Sequence, residues 1–304
     1  MRSITLISML LSLSITLTAC VNVKPLYPER FDLTERQREI IEQSKSKAGF
    51  RAVALSANGK NISSRIGDSY DDVIRRSLSL CQINAQTVCH LMSLGTQDFQ
   101  TRYQAFNNES ERAIRSLRMP NVDLQAYENT DWQIEEPEQI RSVNEGIHFA
   151  TPTSLRGVKN ITTAELVAGI KEDKYVLIDA SNLVLDNGKT IPSAHVIDWI
   201  GVAYATKSDA IGADTYSVAA LEGVMNSLAP AKDQAIVVFC TSPECWLSVN
   251  GLMRLRSLGY TNLYWYRGGL DVWRSSDLPM VKQVPYASVR YYESSQTKAP
   301  IKAN

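Results

Sequence analysis

Hydrophobic and polar positions follow two different patterns along this chain, and the pattern changes near residue 160. Before that point, strand-like and helix-like stretches follow one another in an irregular order. After it, short apolar runs that are typical of buried strands alternate with helical patterns. Such alternation is typical of an α/β domain with a mainly parallel sheet, whereas the mixed order is typical of a small α+β module. The pattern therefore predicts two units of different architecture.

The N-terminal unit is predicted to be a small α+β module at residues 33–120. Thr34 and Gln37 stand at capping-box spacing, so a helix should begin at Thr34. Residues 50–55 form a strand candidate, and Asn58-Gly59 behind it is a strong hairpin-turn signal. The elements predicted after the hairpin are a helix capped by Ser69, a strand at residues 88–94 and a helix at residues 101–118.

In the C-terminal unit, helices and strands alternate. Thr162 and Glu165 form a second capping box, and the apolar run at residues 175–179 ends in an acid, as a buried parallel strand would. A second buried strand, residues 235–239, stops directly before Cys240. The remaining predicted elements are helices at residues 217–228 and 246–258 and a strand at residues 262–266.

Three other segments lack sustained periodicity and are expected to connect or flank the two units. They are a polar tether, a long linker or packing arm rich in Glu, Gln, Asn and Pro, and a polar tail. The complete division predicted from the sequence is a signal segment at residues 1–19, the tether at 20–32, the α+β module at 33–120, the arm at 121–158, the α/β domain at 159–282 and the tail at 283–304.

Residues 1–19 have the composition of an export signal. The apolar run from Ile4 to Leu17 follows a positive residue and is too short to span a bilayer comfortably. Its end, Leu17-Thr18-Ala19-Cys20, resembles the lipobox of bacterial lipoproteins. The resemblance implies that Cys20 is a lipidated N-terminus, anchored in the cell envelope and facing the periplasm, and Val21 favours the outer over the inner membrane. An ordinary secretory signal is the alternative.

Charge and composition narrow the range of partners. The chain has 32 lysines and arginines against 32 aspartates and glutamates, so no positive excess favours nucleic acid. The motifs indicate neither a cofactor nor a metal site. The α+β module contains no catalytic constellation, and we interpret His90 as a packed or surface residue. The expected role of the module is therefore to bind or position a protein partner.

Beyond Cys20, the four cysteines form two local pairs, and an exported protein meets an oxidising compartment. Cys81 lies at the end of a predicted helix and Cys89 near the start of the next predicted strand, a return that can bring them within disulfide distance. We therefore expect a structural bridge between them, with two buried free thiols as the alternative. The second pair, Cys240 and Cys245, flanks a short loop.

Cys240 stands between the end of a predicted strand and the beginning of a predicted helix. In a parallel sheet, ligands bind at the carboxyl ends of the strands. Backbone N–H groups and the positive end of the helix dipole at such a position favour the thiolate, which is the nucleophilic form of cysteine. A thiolate held in this way can attack a sulfane sulfur and carry it as a persulfide. A buried cysteine that only ends a strand is the alternative.

Five segments of the C-terminal unit, in order and at suitable spacing, resemble the rhodanese family. They are Val176-Leu177-Ile178-Asp179, Ile191-Pro192-Ser193-Ala194-His195-Val196-Ile197, Val237-Val238-Phe239-Cys240, the segment from Leu258 to Leu263 and the segment from Tyr266 to Trp273. The resemblance implies a mainly parallel central sheet flanked by helices. It covers less than half of the chain.

The resemblance also implies a role for each matching position. Cys240 would be the sulfur-carrying nucleophile, Asp179 a structural acid near the loop, and Trp273 a core residue. Gly268 and Gly269 would allow a tight turn. The N–H groups that surround the persulfide would come from the loop that continues through Thr241, Ser242, Pro243 and Glu244 to Cys245.

The chain departs from the family at positions that receive an anionic donor. Many active rhodaneses carry an Arg two residues after the first acid, where this chain has Ser181. They often have basic residues in the loop, which here contains Glu244 instead. A carboxylate would repel both thiosulfate and the neighbouring thiolate, so efficient thiosulfate turnover is not expected.

Cys245 followed by Trp246 resembles the Cys-Trp motif of rhodanese-like proteins associated with quinoprotein alcohol oxidation in bacteria, where the two cysteines are closer. Cys245 could resolve a persulfide on Cys240, form a reversible disulfide with it, or be an inert loop residue. Three functions follow: a sulfurtransferase or persulfide carrier with a sulfane-sulfur donor or thiol acceptor as partner, a thiol–disulfide redox protein, or a binding or scaffolding lipoprotein without turnover.

Overall fold

The computed structural model describes residues 23–28, 30–120, 124–142, 145–181, 188–202 and 221–284. The predicted signal segment, Cys20, nearly all of the predicted tail and the beginning of the helix predicted at 217–228 lie outside these ranges. Within them the predicted fold class is confirmed, with an antiparallel sheet in the N-terminal part and a five-stranded parallel sheet in the C-terminal part. None of the helices in these ranges is long and apolar enough to cross a membrane.

The N-terminal part is a four-stranded antiparallel sheet with helices packed against it, in the strand order β2-β1-β3-β4. Thr34 caps the first helix through the predicted capping box with Gln37, and Ser69 caps the second helix, so both predicted starts are confirmed. The elements are α1 (Glu35–Lys45), β1 (Phe50–Ser56), β2 (Ile62–Gly67), α2 (Tyr70–Ala85), β3 (Cys89–Leu94), β4 (Gln97–Asp98) and α3 (Gln100–Ser116).

A disulfide joins Cys81 of α2 to Cys89, the first residue of β3, with the two Cα atoms 6.1 Å apart. Gln86 follows α2 in the left-handed conformation, with φ at 49°, and reverses the chain between the two cysteines. Both cysteines are buried. The bridge therefore fastens the helix to the adjacent central region of the sheet.

The C-terminal part is a parallel sheet in the order β5-β10-β9-β6-β8, and the capping box at Thr162 and Glu165 starts the helix Thr163–Lys171. The short strands β7 and β11 form a separate antiparallel pair. The elements are α4 (Gln125–Glu128), β5 (Val158–Asn160), α5 (Thr163–Lys171), β6 (Val176–Asp179), β7 (Lys189–Thr190), β8 (Ala194–Val196), α6 (described over 221–228), β9 (Ile236–Phe239), α7 (Trp246–Ser257), β10 (Leu263–Tyr266), α8 (Gly269–Ser275) and β11 (Val281–Lys282).

The described residues form two hydrophobic clusters, and the larger one runs through both parts of the molecule. Part of the predicted tether joins it, because Tyr27 and Phe31 are only 2% and 8% exposed. The side chain of Asn107 in α3 accepts a hydrogen bond from the Tyr27 N–H at 3.1 Å and donates one to the Tyr27 carbonyl at 2.9 Å. Two buried aromatic rings and the hydrogen bonds of Asn107 to the backbone of Leu26 and Tyr27 hold this segment against the module.

Two histidines are buried inside this shared core. His90 lies among the rings of Tyr27, Phe31 and Tyr103, with centroid distances of 5.9, 5.2 and 5.7 Å. Burial lowers the pKa of His90 to about 4. Burial also lowers the pKa of His195 in β8 to about 3, and the nearby His90 contributes in the same direction. Both side chains are thus packed groups of the fold that are neutral near pH 7.

We expect the free energy of unfolding to fall as the pH is lowered from about 6.5 to about 4. In this interval His90 binds a proton in the unfolded chain but not in the folded one, so acid favours unfolding. Above about pH 6.5, the pKa of histidine in the unfolded chain, His90 is neutral in both states and causes no loss of stability. For His90 the effect corresponds to about 3 kcal/mol. Urea unfolding at several pH values should show a shallower decline for His90→Phe, and parallel curves for the two proteins would contradict the assignment.

Candidate active site

Cys240 lies at the carboxyl end of the central strand of the parallel sheet. Strand β9 is hydrogen-bonded to β10 on one side and β6 on the other, and all four of its residues are buried. The chain leaves the sheet at Cys240, as the sequence predicted from the end of the apolar run. The Cys240 side chain is only 2% exposed.

The second thiol of the loop lies within bonding distance of the first. Cys245 occupies the N-cap position of α7 and is fully buried. It forms a disulfide with Cys240, and the two Cα atoms are 6.0 Å apart. The sequence left three roles open for Cys245. Two of them, resolving a persulfide on Cys240 and forming a reversible disulfide with it, require contact between the two sulfurs, and this geometry allows both.

Backbone donors of the loop already have oxygen partners in this bridged form. The N–H of Cys245 donates to the carbonyl of Ser242 at 3.1 Å, and the N–H of Glu244 donates to the Ser242 hydroxyl at 3.2 Å. The N–H of Trp246, the first residue of α7, donates to the carbonyl of Ile147 at 2.9 Å. For these three groups to receive a persulfide, as the family resemblance implies, the loop must change its conformation when the bridge opens.

The side chains of the loop differ in exposure. Pro243 is buried, Thr241 and Ser242 are half-buried, and Glu244 is exposed. The Thr241 hydroxyl lies 3.8 Å from the Cys240 sulfur. Glu244 is thus a solvent-exposed acid within the loop, and its negative charge would repel an anionic donor that approaches the two cysteines.

Asp179 ends β6 beside Phe239 of β9, and its carboxylate is fully buried. One oxygen accepts a hydrogen bond from the Ser181 N–H at 2.8 Å. The other accepts from the Thr190 hydroxyl at 2.6 Å and from the Gln283 amide at 3.3 Å. These contacts join the end of β6 to the β7–β11 pair and give Asp179 the geometry of a structural acid.

The start of α8 supports the loop from the other side. The N–H groups of Leu270 and Asp271 donate to the carbonyls of Cys240 and Thr241 at 3.0 and 2.8 Å. Between them and the strand lies Gly269, whose φ is +61° and where an added Cβ would stand 2.3 Å from the Cys240 carbonyl oxygen. The contact requires a residue without a side chain.

The adjacent Gly268 is needed for a different reason than the sequence implied. The predicted tight turn involves Gly269 alone, because Gly268 has right-handed helical angles, with φ at −58°. A Cβ at Gly268 would instead stand 2.9 Å from the Glu128 side chain, which packs there from the arm. Trp273 of α8 is fully buried, in the core position that was expected.

The arm contacts the loop at positions that the sequence analysis did not identify. Thr151 is fully buried, and its hydroxyl donates to the Pro243 carbonyl at 2.5 Å. The ring of Phe149 stacks on Trp246 at 5.3 Å, and the indole N–H of Trp246 donates to the Ala150 carbonyl at 3.1 Å. No periodic signal marks this segment, because it packs as irregular backbone against residues far away in sequence.

A buried guanidinium holds the arm beside the loop. Arg267 follows β10 and is 3% exposed. Its nitrogens donate to the Glu128 carbonyl at 2.7 Å, the Thr151 carbonyl at 3.1 Å and the Thr151 hydroxyl at 3.3 Å. The guanidinium carbon also lies 4.9 Å from the ring centroid of Trp132. Burial lowers the pKa of Arg267, which nevertheless stays a cation near pH 7.

The described residues contain no group of three or more His, Cys, Asp or Glu side chains that could hold a metal ion. The chemically distinctive groups at this end of the sheet are therefore the two sulfur atoms, with the backbone and hydroxyl groups around them. Two thiols in this arrangement can accept sulfur, transfer it, or exchange electrons with another thiol.

Comparison with known proteins identifies one family. The model of the rhodanese-like domain matches residues 162–276, a span from the cap of α5 to the end of α8 that includes the cysteine loop. No curated protein matches the chain.

Three solved structures are similar to parts of this chain. A full-length protein from Lactobacillus plantarum shares 22% identity, with 40% of this chain and 87% of that chain covered and a TM-score of 0.29. A protein from Bacillus halodurans shares 17%, with 48% and 85% covered and a TM-score of 0.28. The rhodanese-like domain of an Anabaena protein shares 14%, with 49% and 89% covered and a TM-score of 0.26.

Proposed function

Residues 162–276 of this chain are a rhodanese-like domain, and we propose that this domain carries sulfane sulfur as a persulfide on Cys240. One observation carries the proposal: Cys240 leaves the central strand at the carboxyl edge of the sheet, directly into a loop that precedes the N-terminus of α7. The helix dipole at this position favours a thiolate, and once the bridge opens and the loop changes its conformation, backbone N–H groups of the loop are placed to stabilise the terminal sulfur of a persulfide.

The first chemical step is sulfur transfer to Cys240. The thiolate attacks the outer sulfur of a donor persulfide, a new S–S bond forms on the Cys240 sulfur, and the S–S bond of the donor breaks. The donor leaves as a thiolate, which takes a proton from water. Neither partner is oxidised overall, and the domain then passes the sulfur to a thiol acceptor.

Cys245 supplies an alternative second step. Its thiolate attacks the Cys240 sulfur, the Cys240–Cys245 bond forms, and the outer sulfur leaves as sulfide. The two cysteines together lose two electrons, and the sulfane sulfur gains them. The bridged form is then returned to the dithiol by an external thiol reductant, which becomes a disulfide.

The loop charge favours a singly charged organic persulfide as donor over thiosulfate. Thiosulfate carries two negative charges, and Glu244 adds a carboxylate at the exposed surface of the loop. The buried Arg267 faces the arm, so its donors do not reach out toward a solvent anion. A donor with one negative charge meets less repulsion from Glu244 than a donor with two.

A thiol–disulfide redox function is the second candidate, and the Cys240–Cys245 bond favours it. In that function the pair exchanges two electrons with a partner dithiol and never binds sulfur. The two candidates use the same cysteines and differ in whether a sulfur atom is added to the protein.

The chain is further proposed to be exported and lipidated at Cys20, with the domain facing the periplasm. The residues from Leu17 to Cys20 support this placement through their resemblance to a lipobox. An outer-membrane location is part of the same proposal.

Intact mass spectrometry of the full chain, extracted from membranes in detergent, tests the function. After mild reduction, a peptide persulfide donor should add one sulfur atom to the wild type and none to Cys240→Ser. Loss of two hydrogens without any sulfur-containing species, at early and late times, would favour the redox function instead. No change of either kind would contradict both and favour a binding role. The same spectrum reports whether acyl chains are attached to Cys20.

A further inference from the structure

Thr151 occupies a position between a buried cation and the active-site loop. Its side chain is fully buried, and its hydroxyl oxygen lies 3.3 Å from Nε of Arg267 and 2.5 Å from the carbonyl oxygen of Pro243. Pro243 is itself buried, midway between the two cysteines of the loop. The chain separation between Thr151 and Pro243 is 92 residues, so this contact is made by the fold and not by local sequence.

The direction of these two hydrogen bonds follows from chemistry. A guanidinium can only donate, so the Thr151 hydroxyl must accept from Arg267. A carbonyl can only accept, so the single hydroxyl proton must go to Pro243. The only other acceptor described for this proton is the Pro152 carbonyl, which is farther away at 3.4 Å. Arg267 therefore orients the hydroxyl toward the loop.

Arg267 also fixes the backbone position of Thr151. Arg267 also donates to the Thr151 carbonyl at 3.1 Å and to the Glu128 carbonyl at 2.7 Å. All three donations go to the arm. The end of β10, the arm and the loop thus form one connected set of buried hydrogen bonds, and leaving any member unpaired carries a desolvation cost.

We propose that Thr151, oriented by Arg267, is a positioning residue that holds the loop in the conformation in which Cys240 and Cys245 meet. The proposal rests on the proposed function of these two cysteines. Because the hydrogen bond to Pro243 is seen with the bridge closed, its loss shifts the equilibrium toward the open dithiol. Thr151 thereby sets how readily a persulfide on Cys240 is resolved by Cys245.

The exchange of the loop with glutathione measures this effect. One bridged loop and two glutathione molecules give one dithiol loop and one glutathione disulfide, so the reaction is balanced. Alkylation followed by peptide mass analysis reads the Cys240–Cys245 pair separately from the Cys81–Cys89 bridge. We expect Thr151→Val to favour the dithiol about tenfold relative to wild type, which corresponds to about 30 mV.

Two further variants separate positioning from general packing. Thr151→Ser keeps the hydroxyl, so its dithiol–disulfide equilibrium should equal that of the wild type. Arg256→Gln removes a different attachment of the arm, the hydrogen bonds to Glu136 at 2.8 Å and to the Arg156 carbonyl at 2.6 Å, and should leave the equilibrium unchanged. If Thr151→Val does not fold, Arg267→Lys replaces it, since the loss of Nε frees the hydroxyl to turn toward Pro152.

The outcomes are distinct. A Thr151→Val equilibrium within twofold of wild type, or an equal shift in Arg256→Gln, overturns the positioning role. A tenfold shift toward the dithiol in Thr151→Val, with no shift in Thr151→Ser, supports it. Should the wild type take up no sulfur in the mass experiment while the shift persists, the proposed function fails and the positioning role stands for a redox pair.

Discussion

Replacing Cys245 with serine is expected to leave a long-lived persulfide on Cys240 after a sulfur donor has been added. In the wild type the second thiol lies within bonding distance, since the two Cα atoms are 6.0 Å apart in the bridged loop. An intramolecular thiol in a fixed geometry acts at a far higher effective concentration than free thiol in solution. Without it, the persulfide lifetime should increase about a hundredfold.

The measurement is a time course of intact mass together with released sulfide. Wild-type protein should pass through the sulfur-bearing species quickly, release sulfide and end as the bridged form. Cys245→Ser should hold one added sulfur until an external thiol removes it. Cys81→Ser is the control, because it breaks the other bridge and leaves the loop intact. Equal rates of sulfide release from wild type and Cys245→Ser would contradict a resolving role.

The same experiment separates the two candidate functions. A redox pair exchanges electrons with a partner disulfide, so the Cys240 thiolate of Cys245→Ser would attack that disulfide, form a mixed disulfide with one partner sulfur and release the other as a thiolate. It would never gain a single sulfur atom. A persulfide carrier gains sulfur in both proteins. The mass that is added to Cys240, one sulfur atom or a whole partner molecule, therefore distinguishes the two functions.

Sequence signals that act over a few residues were sufficient for much of the fold. The capping boxes at Thr34 and Thr162 and the cap at Ser69 each satisfy the first N–H groups of a helix through neighbouring side chains. The apolar run before Cys240 is buried on both faces, as a central parallel strand must be. These features are local, so the residues that specify them also lie close together in sequence.

The surroundings of the loop could not be predicted in the same way. Thr151 reaches the loop from irregular backbone, and Arg267 acts on the loop only through Thr151, so no helical or strand period marks either contact. Tyr27 and Phe31 belong to a segment interpreted as a tether, yet their rings fill the shared core. In each case the contact joins residues that are distant in sequence, and only the packing of the complete chain determines which pairs meet.

The glycine pair shows the same limit within a recognised motif. The sequence implied one role for both residues, a tight turn. The structure assigns the turn to Gly269, with φ at +61°, and a close approach of Glu128 to Gly268. A glycine required for φ and a glycine required for space look identical in a sequence, because both are defined by atoms that the motif does not contain.

Gly269→Ala is expected to cost about 3 kcal/mol or more in the free energy of unfolding and to abolish sulfur uptake at Cys240. An alanine Cβ would stand 2.3 Å from the Cys240 carbonyl oxygen, 2.8 Å from the Thr241 carbonyl carbon and 2.9 Å from the Ser242 nitrogen. All three are backbone atoms, so no side chain can turn away. The loop must therefore move, and its hydrogen bonds to the start of α8 are lost.

Gly259→Ala is the matched control for this prediction. Its φ is +85°, but an added Cβ would have no neighbour within 4 Å. The control therefore includes the cost of a left-handed alanine, about 1 kcal/mol, without any collision with the loop. Urea unfolding and sulfur uptake of both variants separate the two effects. If Gly269→Ala is no less stable than Gly259→Ala and still takes up sulfur, the close packing of α8 against Cys240 does not determine the geometry of the site.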